Sequence, residues 1–301
     1  METVNVLMSV YNGEEYLEEQ IRSILIQQNV NIFITVRDDG STDATRNILR
    51  KFNKQYPSRF QLIFGKNLGY RKSFLRLIRN AAEADYYAFS DQDDVWQPDK
   101  CERAVRMLKK TNNCHLYVSA IVNTNEKLAP VSVQKFDGNK TMKSVFVRNR
   151  YPGCAMVFDH AVLRKACQLR FPRKGIIPSH DMIISALAYM MGEVYTDNRA
   201  AVYHRRRRGS ITAGGRGITS RIQAEYRLVF QIKHEACILA DSMLRTCMDD
   251  LDRKSADFLE TVTKSRTGIR AGISLLKDTE FSCGIRICDL ETKIKIIIGN
   301  Y

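Results

Sequence analysis

The sequence lacks several patterns that would assign a protein to a class at once. Its eight cysteines never stand in C-x-x-C spacing, and the closest pair, Cys283 and Cys288, does not have zinc-finger spacing. No G-x-G-x-x-G follows the first predicted strand and no Walker A motif occurs, so a dinucleotide cofactor is not indicated. No apolar run approaches the roughly 18 to 20 residues that a transmembrane helix needs.

Charge and composition narrow the class of partner. The 301 residues include 47 lysines and arginines against 33 aspartates and glutamates, which gives a net charge of +14. Such a balance favours polyanionic partners, namely nucleic acid, nucleotide phosphates or an anionic membrane surface. A chain of this length needs no disulfides, and residues 4–10 are typical of a strand rather than of a signal peptide. We therefore expect a cytoplasmic protein with reduced, mostly buried thiols.

Strand and helix patterns alternate through the N-terminal part of the chain. Short apolar strands are predicted over residues 4–10, 32–36, 60–64 and 86–89, and apolar residues recur at helical spacing between them. This alternation predicts an α/β fold, a mostly parallel sheet with helices on both faces. In such sheets ligands bind outside the carboxyl ends of the strands.

Three polar segments lie where these predicted strands end. They are Tyr11-Asn12-Gly13, residues 38–43 and residues 91–94. Because the carboxyl ends of parallel strands share one edge of a sheet, we expect the three segments to meet in one crevice. Tyr11 can stack on a nucleobase, and Asp39 can accept a hydrogen bond from a base or a ribose hydroxyl. The crowded carboxylates of Asp91, Asp93 and Asp94 repel one another, and a hard divalent cation bound to a phosphate compound would offset this cost. A solvated turn is the alternative for residues 91–94, and a plain turn with a helix cap is the alternative for residues 38–43.

In order and spacing, the segments 10–13, 38–43 and 90–96 resemble the family 2 glycosyltransferases. The resemblance covers about residues 1–205 and implies an inverting enzyme of the GT-A fold. The motif at residues 90–96 looks most like that of rhamnosyltransferase-like members, which build bacterial surface polysaccharides. It implies that the donor contacts Tyr11, Asn12, Asp39 and Asp91. It also implies that Asp93 holds Mg²⁺ or Mn²⁺, which would stabilise the departing nucleoside diphosphate.

The same resemblance assigns roles in the middle of the chain. Gly153 and Cys154 fall on the acceptor side, although an inert buried thiol is an equal alternative for Cys154. His180-Asp181 resembles the position of the catalytic base, where Asp181 would take the proton of the acceptor hydroxyl and His180 would help to position it. The alternative for Asp181 is a first-turn carboxylate that the helix dipole favours.

The basic run at residues 205–208 departs from the family pattern, which often has a Tyr-Arg-x-His-like segment beside the diphosphate and the metal. Here His204 follows Tyr203 directly, so a histidine ligand stays an open question. Arginine binds phosphate bidentately, and we expect Arg205 and Arg206 to contact the diphosphate. A solvated basic loop and a nucleic-acid patch are the alternatives. The glycine-rich residues 211–217 are predicted to form a lid over the donor.

The C-terminal part, residues 206–301, is predicted to be a basic loop and a helical extension after a GT-A domain of residues 1–205. Apolar residues recur at helical spacing there, among them Ile287, Leu290, Ile294 and Ile297. We interpret such stripes as core-packing faces. The alternative is a peripheral contact with the inner face of the cell membrane, which would suit a lipid-linked acceptor.

Together these patterns predict a metal-dependent glycosyltransferase that moves rhamnose or a hexose from a nucleotide-sugar donor to a glycan or lipid-linked glycan, without a nucleic-acid partner. Rhamnose from its thymidine diphosphate donor is the first expectation, by resemblance, and a hexose from uridine diphosphate is the rival. A sugar nucleotidyltransferase is one alternative, but its glycine-rich basic loop is absent, since residues 11–15 are acidic. A nucleic-acid-binding protein is the other, and it leaves the acidic segments unexplained.

Overall fold

The computed structural model of the protein describes residues 1–136, 140–173, 175–206, 226 and 230–301. The chain forms two compact units. The first comprises residues 1–136, 151–167 and 192–207, and the second comprises residues 137–150, 168–191 and 208–301. Besides the C-terminal part, the second unit takes in two earlier segments, one of which carries Asp181.

One nine-stranded sheet organises the first unit. Its strands are β1 (Thr3–Val10), β2 (Asn31–Asp38), β3 (Phe60–Phe64), β4 (Tyr86–Ser90), β5 (Val95–Trp96), β6 (Cys114–Thr124), β7 (Pro130–Gln134), β8 (Met156–Asp159) and β9 (Glu193–Arg205). Their order across the sheet is β3-β2-β1-β4-β8-β6-β9-β5, and β7 pairs with β6. The predicted α/β class is confirmed.

The four strands predicted from the N-terminal part form the parallel region of the sheet. Strand β1 pairs in parallel with β2 and β4, and β2 pairs in parallel with β3. Helices α1 (Leu17–Leu25), α2 (Thr45–Gln55) and α3 (Tyr70–Asn80) connect these strands. Because such crossovers are right-handed, the change of direction at β1 sends α1 and α2 to one face and α3 to the other. A ligand crevice is expected beside β1, where the strand order reverses.

Beyond β4 the sheet contains both parallel and antiparallel pairs. The alternating strand and helix patterns of the sequence did not predict this mixed part. Strand β8 runs antiparallel to both β4 and β6, while β9 is parallel to β6 and antiparallel to the two-residue β5. Helices α4 (Lys100–Lys110) and α6 (His160–Gln168) belong to this part of the chain. These added strands carry the segments before β8 and at the end of β9 to the neighbourhood of β4.

The described second unit is helical, as predicted for the C-terminal part. It contains α5 (Met142–Val147), α7 (His180–Met191), α8 (Glu235–Cys247), α9 (Arg253–Ser265), α10 (Ile269–Lys277) and α11 (Arg286–Ile297). An aromatic cluster holds several of these elements together. The ring of Phe258 lies 5.5 Å from that of Phe146 and 6.0 Å from that of Phe281, and Phe281 contacts the buried Tyr301. The Tyr301 hydroxyl donates a hydrogen bond of 3.0 Å to the carbonyl oxygen of Phe146.

One expectation for this unit is wrong. The stripe of Ile287, Leu290, Ile294 and Ile297 does not pack in a core, because all four side chains are exposed on α11. Helical spacing marks a continuous face but not what covers that face. Among the described residues, no helix is both long enough and apolar enough to cross a membrane.

The cysteines are mostly buried, as the sequence predicted. All eight lie in the described part of the chain, six of them are buried, and no disulfide joins any of them.

Candidate active site

A reciprocal pair of hydrogen bonds joins the end of β1 to the loop after β4. The backbone N–H of Tyr11 donates to Oε1 of Gln92 over 2.7 Å, and Nε2 of Gln92 donates to the Tyr11 carbonyl over 3.1 Å. Gly13 packs so closely on this amide that a β-carbon there would lie 2.8 Å from it. The Tyr11 side chain itself is 47% exposed, so its ring is accessible to a base.

Asn12 joins the same corner to the segment after β2. Its backbone N–H donates to Oγ of Ser41 over 3.0 Å, and its side-chain oxygen accepts from the backbone N–H of Thr42 over 2.9 Å. Asn12 has a positive φ of 47°, a conformation that asparagine tolerates better than most residues. The three polar segments therefore meet, as the sequence predicted, at the carboxyl ends of β1, β2 and β4.

Asp39 is held by the loop between β3 and α3. Its two carboxylate oxygens accept from the backbone N–H groups of Leu68 and Gly69, each over 2.9 Å, and Arg37 donates to the same carboxylate. Asp39 is therefore only 3% exposed. Its neighbour Asp38 closes the turn by accepting from Arg46 over 2.7 Å. Asp39 thus fixes the loop between β3 and α3 beside the end of β2.

The register between β5 and β9 brings Asp94 to His204. Val95 pairs with Tyr203 across these antiparallel strands, so the preceding Asp94 lies opposite His204. Nδ1 of His204 donates to Oδ1 of Asp94 over 3.0 Å, and the backbone N–H of Arg205 donates to the same oxygen over 3.1 Å. Asp94 is fully buried, and its second oxygen, Oδ2, has no hydrogen-bond partner.

The register between β4 and β8 adds a thiol to this group. Ala88 pairs with Val157, and this pairing holds the 3-10 turn of Gly153–Ala155, which carries Cys154, beside the end of β4. One potential ligand atom from each of Asp91, Asp94, Cys154 and His204 lies within 4.8 Å of the others. Two strand registers, each involving a late segment of the chain, thus complete the group that the acidic segment begins.

Electrostatics couple these four side chains. Burial alone would lower the pKa of His204, but the adjacent Asp94 carboxylate outweighs it and raises that pKa to about 12. Burial raises the pKa of Cys154 to about 12, and the Asp94 charge acts in the same direction. At neutral pH the His204 imidazole is therefore protonated and the Cys154 thiol is neutral. Nearby, the Nζ atom of the buried Lys100 lies 3.4 Å from the centre of the Trp96 ring, and burial lowers its pKa to about 8.

The donor set fits a divalent cation. Carboxylate oxygen, imidazole nitrogen and thiolate sulfur are all metal ligands in proteins, and Oδ2 of Asp94 is a buried acceptor that still needs a partner. A cation bound here would take over the charge compensation that the His204 imidazolium supplies to Asp94. Binding would then release protons from the imidazolium and from any thiol that becomes a ligand.

Asp93, Arg205 and Arg206 make contacts outside the four-residue group. The backbone carbonyl of Asp93 accepts from Nε of Arg205 over 2.9 Å, and the Asp93 carboxylate is not part of the four-residue group. The Arg205 side chain is 4% exposed and also binds Glu19 and the carbonyl of Glu126. Arg206 binds Oδ1 of Asn123 through two nitrogens, over 2.8 and 3.1 Å. The Arg205 guanidinium thus anchors the end of β9 and faces the interior.

The remaining predicted residues are divided between the units. Gly153 and Cys154 form a buried 3-10 turn before β8 in the first unit. His180 and Asp181 begin α7 in the second unit, where His180 is buried and Oδ1 of Asp181 accepts from the N–H of Met182 over 2.9 Å. Arg207, Arg208 and the predicted lid at residues 211–217 lie outside the described residues.

Sequence reasoning did not select Asp94 as a site residue. It recognised the acidic segment but gave the metal to Asp93, and it left the histidine question open. The signal that was available is the position of Asp94 directly before a short apolar strand, because a carboxylate there enters the sheet and becomes buried. Its partner His204 could not be found without the pairing of β5 with β9.

Comparison with known proteins places this geometry in context. The model for the family described as glycosyl transferase family 2 matches residues 5–165. The chain is 37% identical over 160 residues to the dTDP-rhamnosyl transferase RfbG of Shigella flexneri, which covers 52% of this chain and 55% of that protein. It is 31% identical over 167 residues to the UDP-Glc:alpha-D-GlcNAc-diphosphoundecaprenol beta-1,3-glucosyltransferase WfgD of Escherichia coli, which covers 53% of this chain and 61% of the relative. The chain thus spans little more than half the length of these two curated relatives.

A solved structure supports the fold. The mannosyltransferase PcManGT of Pyrobaculum calidifontis, solved in complex with GDP-Man and Mn²⁺, superposes with a TM-score of 0.53 at 16% identity, covering 99% of this chain and 86% of that one. At this identity the likeness concerns the fold alone, and it agrees with the GT-A architecture that the sequence predicted.

Proposed function

The chain belongs to glycosyl transferase family 2, and we propose that it transfers a sugar from a nucleoside-diphosphate donor to a hydroxyl group of a glycan or lipid-linked glycan, with inversion at the anomeric carbon. The observation that carries this proposal is the hydrogen-bonded junction of Tyr11, Asn12 and Gln92 with the segment after β2. This junction lies where open α/β sheets bind their ligands. Family membership favours glycosyl transfer over the two alternatives raised from the sequence.

The donor is proposed to be a deoxythymidine or uridine diphosphate sugar. The Shigella relative is named for dTDP-rhamnose, and the Escherichia relative for UDP-glucose and a diphosphoundecaprenol-linked acceptor. We therefore propose dTDP-rhamnose as the first donor and a UDP-hexose as its rival. The exposed Tyr11 ring would stack on the base, and the loop fixed by Asp39 would form the opposite wall. Such an enzyme would work in the cytoplasm, where nucleotide sugars are made.

A divalent cation, Mg²⁺ or Mn²⁺, is proposed to bind between the acidic segment and the diphosphate. It would supply charge stabilisation to the departing nucleoside diphosphate. Asp91 and Asp94 are the carboxylates best placed to hold it, with His204 and Cys154 beside them, and Asp93 is retained as a further candidate from the resemblance. Imidazole and thiol are softer than carboxylate, so this donor set favours Mn²⁺ over Mg²⁺.

The chemical step requires a base for the acceptor. Asp181 is proposed to take the proton of the acceptor hydroxyl, while the hydroxyl oxygen forms its bond to the anomeric carbon and the bond from that carbon to the diphosphate breaks. The diphosphate leaves with the electron pair of the broken bond. Asp181 lies in the first turn of α7, beside the buried His180. Gly153 is retained as a candidate for the acceptor side.

The proposal is tested by offering purified protein dTDP-rhamnose, UDP-glucose and UDP-galactose, and by measuring release of nucleoside diphosphate with Mn²⁺, with Mg²⁺ and with a chelator. We expect nucleoside diphosphate to be released from one class of donor, and we expect this release to require a cation. Asp181→Asn should lower the rate while leaving donor affinity unchanged, because the base acts only in the chemical step. Donor binding that does not depend on a cation would contradict the proposed metal site. A fully active Asp181→Asn variant would show that Asp181 is not the catalytic base.

A further inference from the structure

Helix α11 presents an apolar face to the solvent. The exposed fractions of Ile287, Leu290 and Ile297 are 64%, 57% and 71%. Ile294 and Ile298 are exposed as well, and the spacing of three, four and three residues puts the first four side chains on one side of the helix. We call these five residues the α11 apolar face. A helix of a globular protein normally turns such a stripe toward a core, so this arrangement is reversed.

The helix is nonetheless firmly seated in the second unit. The hydroxyl of its buried Thr292 donates to the carbonyl oxygen of Val147 over 2.9 Å, and Glu291 binds Arg148 over 3.3 Å. Ile296 packs against α10 so closely that a β-carbon on Gly272 would lie 3.2 Å from it. The side of α11 opposite its apolar face therefore already has partners, and the helix cannot bury the stripe by rotating.

Acidic side chains in this region already have partners within the protein, although Glu280 itself lies on the surface. Asp278 and Glu280 both bind Lys143, over 2.7 and 2.8 Å. Asp289 accepts from Ser282 and from the backbone of Cys283. With Glu291 bound to Arg148, these are all the acids between residues 266 and 301.

Basic side chains of the same stretch point outward. Five of them are exposed: Arg266, Arg270, Lys277, Arg286 and Lys293. Arg286 and Lys293 belong to α11 itself and lie side by side along one edge of the apolar face. The adjoining α10 adds two exposed apolar side chains, Ile269 and Ile273. The surface is therefore apolar along one line and positively charged beside it, which is the composition of a helix that lies in a membrane interface.

We propose that the α11 apolar face, bordered along one edge by Arg286 and Lys293, docks the protein on an anionic phospholipid bilayer, with α11 lying in the plane of the interface. The helix of 12 residues is too short to span a bilayer, so it would lie on the surface. A second copy of the chain fits this face less well, because a two-fold contact opposes each surface to itself and would bring basic groups together. The proposal goes beyond the transferase activity and does not depend on it.

The test is flotation of the full chain with vesicles of phosphatidylcholine alone and of phosphatidylcholine mixed with phosphatidylglycerol. We expect binding to the anionic vesicles that weakens as salt is added, since salt screens the basic side chains. Ile287→Ser/Ile297→Ser should reduce binding by about tenfold or more, because two apolar side chains no longer enter the interface. The matched control is Ile26→Ser/Val131→Ser, which removes two similarly exposed apolar side chains from the first unit and should bind like the parent. Melting temperatures of all variants check that each remains folded.

Three results would overturn the proposal. The first is a parent protein that floats with neither vesicle, and the second is an Ile287→Ser/Ile297→Ser variant that floats as well as the control. The third is light scattering that shows a dimer of the parent and a monomer of the same variant, with no vesicle binding by either protein, because the face would then be a contact between two copies. Arg286→Glu/Lys293→Glu separates the charge contribution, and it should weaken binding to anionic vesicles without changing the oligomeric state.

Discussion

Nδ1 of His204 lies 3.0 Å from Oδ1 of Asp94, although 110 positions separate the two residues in the sequence. The pair forms because the two-residue strand β5 lies antiparallel to the end of β9. Asp94 is fully buried, and its charge keeps the His204 imidazole protonated. This buried ion pair links the acidic segment to the far end of the sheet and fixes the shape of the candidate active site.

Breaking this pair from one side should be costly. Asp94→Asn leaves a buried imidazolium without its counter-charge, and we expect a loss of about 3 to 5 kcal/mol in the free energy of unfolding, measured by urea denaturation. His204→Gln should also destabilise, because it leaves the Asp94 carboxylate buried without its partner. The double variant should cost less than the sum of the two single variants, since neither charge then remains alone. Strictly additive costs would show that the two side chains do not interact.

Gly40 should not tolerate a side chain. Its φ is +89°, and a β-carbon there would lie 2.8 Å from the backbone nitrogen of Asn67, which cannot move away easily. Gly40→Ala should therefore cost the roughly 1 to 2 kcal/mol of a left-handed backbone plus a further steric penalty. Gly299→Ala is the control, because Gly299 has a φ of +69° but nothing within 4 Å of the added carbon. Equal changes in melting temperature for the two variants would mean that the contact with Asn67 adds nothing.

Asp197 should stabilise the protein at neutral pH and not in acid. Burial raises its pKa, but hydrogen bonds from Arg199 and from the Tyr117 hydroxyl outweigh burial, so the pKa lies below its usual value. The unfolded chain takes up the proton near pH ~3.9. The stabilisation is therefore present above that pH and is lost as the pH falls through the lower pKa of the folded state.

We expect Asp197→Asn to cost about 1 to 3 kcal/mol at pH 7. Calorimetric melting temperatures should show this difference narrowing as the pH falls below ~3.9. Asp257→Asn, at an exposed position of α9, should match the parent throughout. A difference from the parent that stays constant down to strong acid would contradict the assigned contacts.

Cys101 and Cys154 should resist alkylation in the folded protein. Both are buried, and burial raises the pKa of Cys101 to about 11 and that of Cys154 to about 12. Because only the thiolate reacts, labelling by iodoacetamide should be roughly a hundredfold slower than in urea. Peptide mass spectrometry after a short exposure measures each site separately. Rapid native labelling of Cys154 would mean that the turn before β8 opens to solvent.

The sequence was sufficient for the parallel half of the sheet. Strands β1 to β4 are short and apolar, and each ends in residues that favour turns, so their bounds and the meeting of Tyr11, Asn12 and Asp39 at one edge followed from local patterns. The Asp94–His204 pair did not follow, because the pairing of β5 with β9 depends on a register between distant segments. The surroundings of Arg205 depend in the same way on Glu19 and on the carbonyl of Glu126. For α11, the spacing of isoleucines is the same whether a core or solvent faces them.

The most direct test of the account is calorimetric titration of the preferred nucleotide sugar into the parent, Asp91→Asn and Asp99→Asn, each with Mn²⁺ and with a chelator. Asp99 is a half-buried carboxylate that pairs with Arg103, so its variant controls for loss of an acidic group outside the site. We predict that the parent and Asp99→Asn bind the donor in a Mn²⁺-dependent manner, and that Asp91→Asn loses at least tenfold in affinity, since one charge-assisted contact is worth about 1.5 kcal/mol or more. Equal, Mn²⁺-independent binding by all three proteins would contradict a metal-assisted donor site at the end of β4.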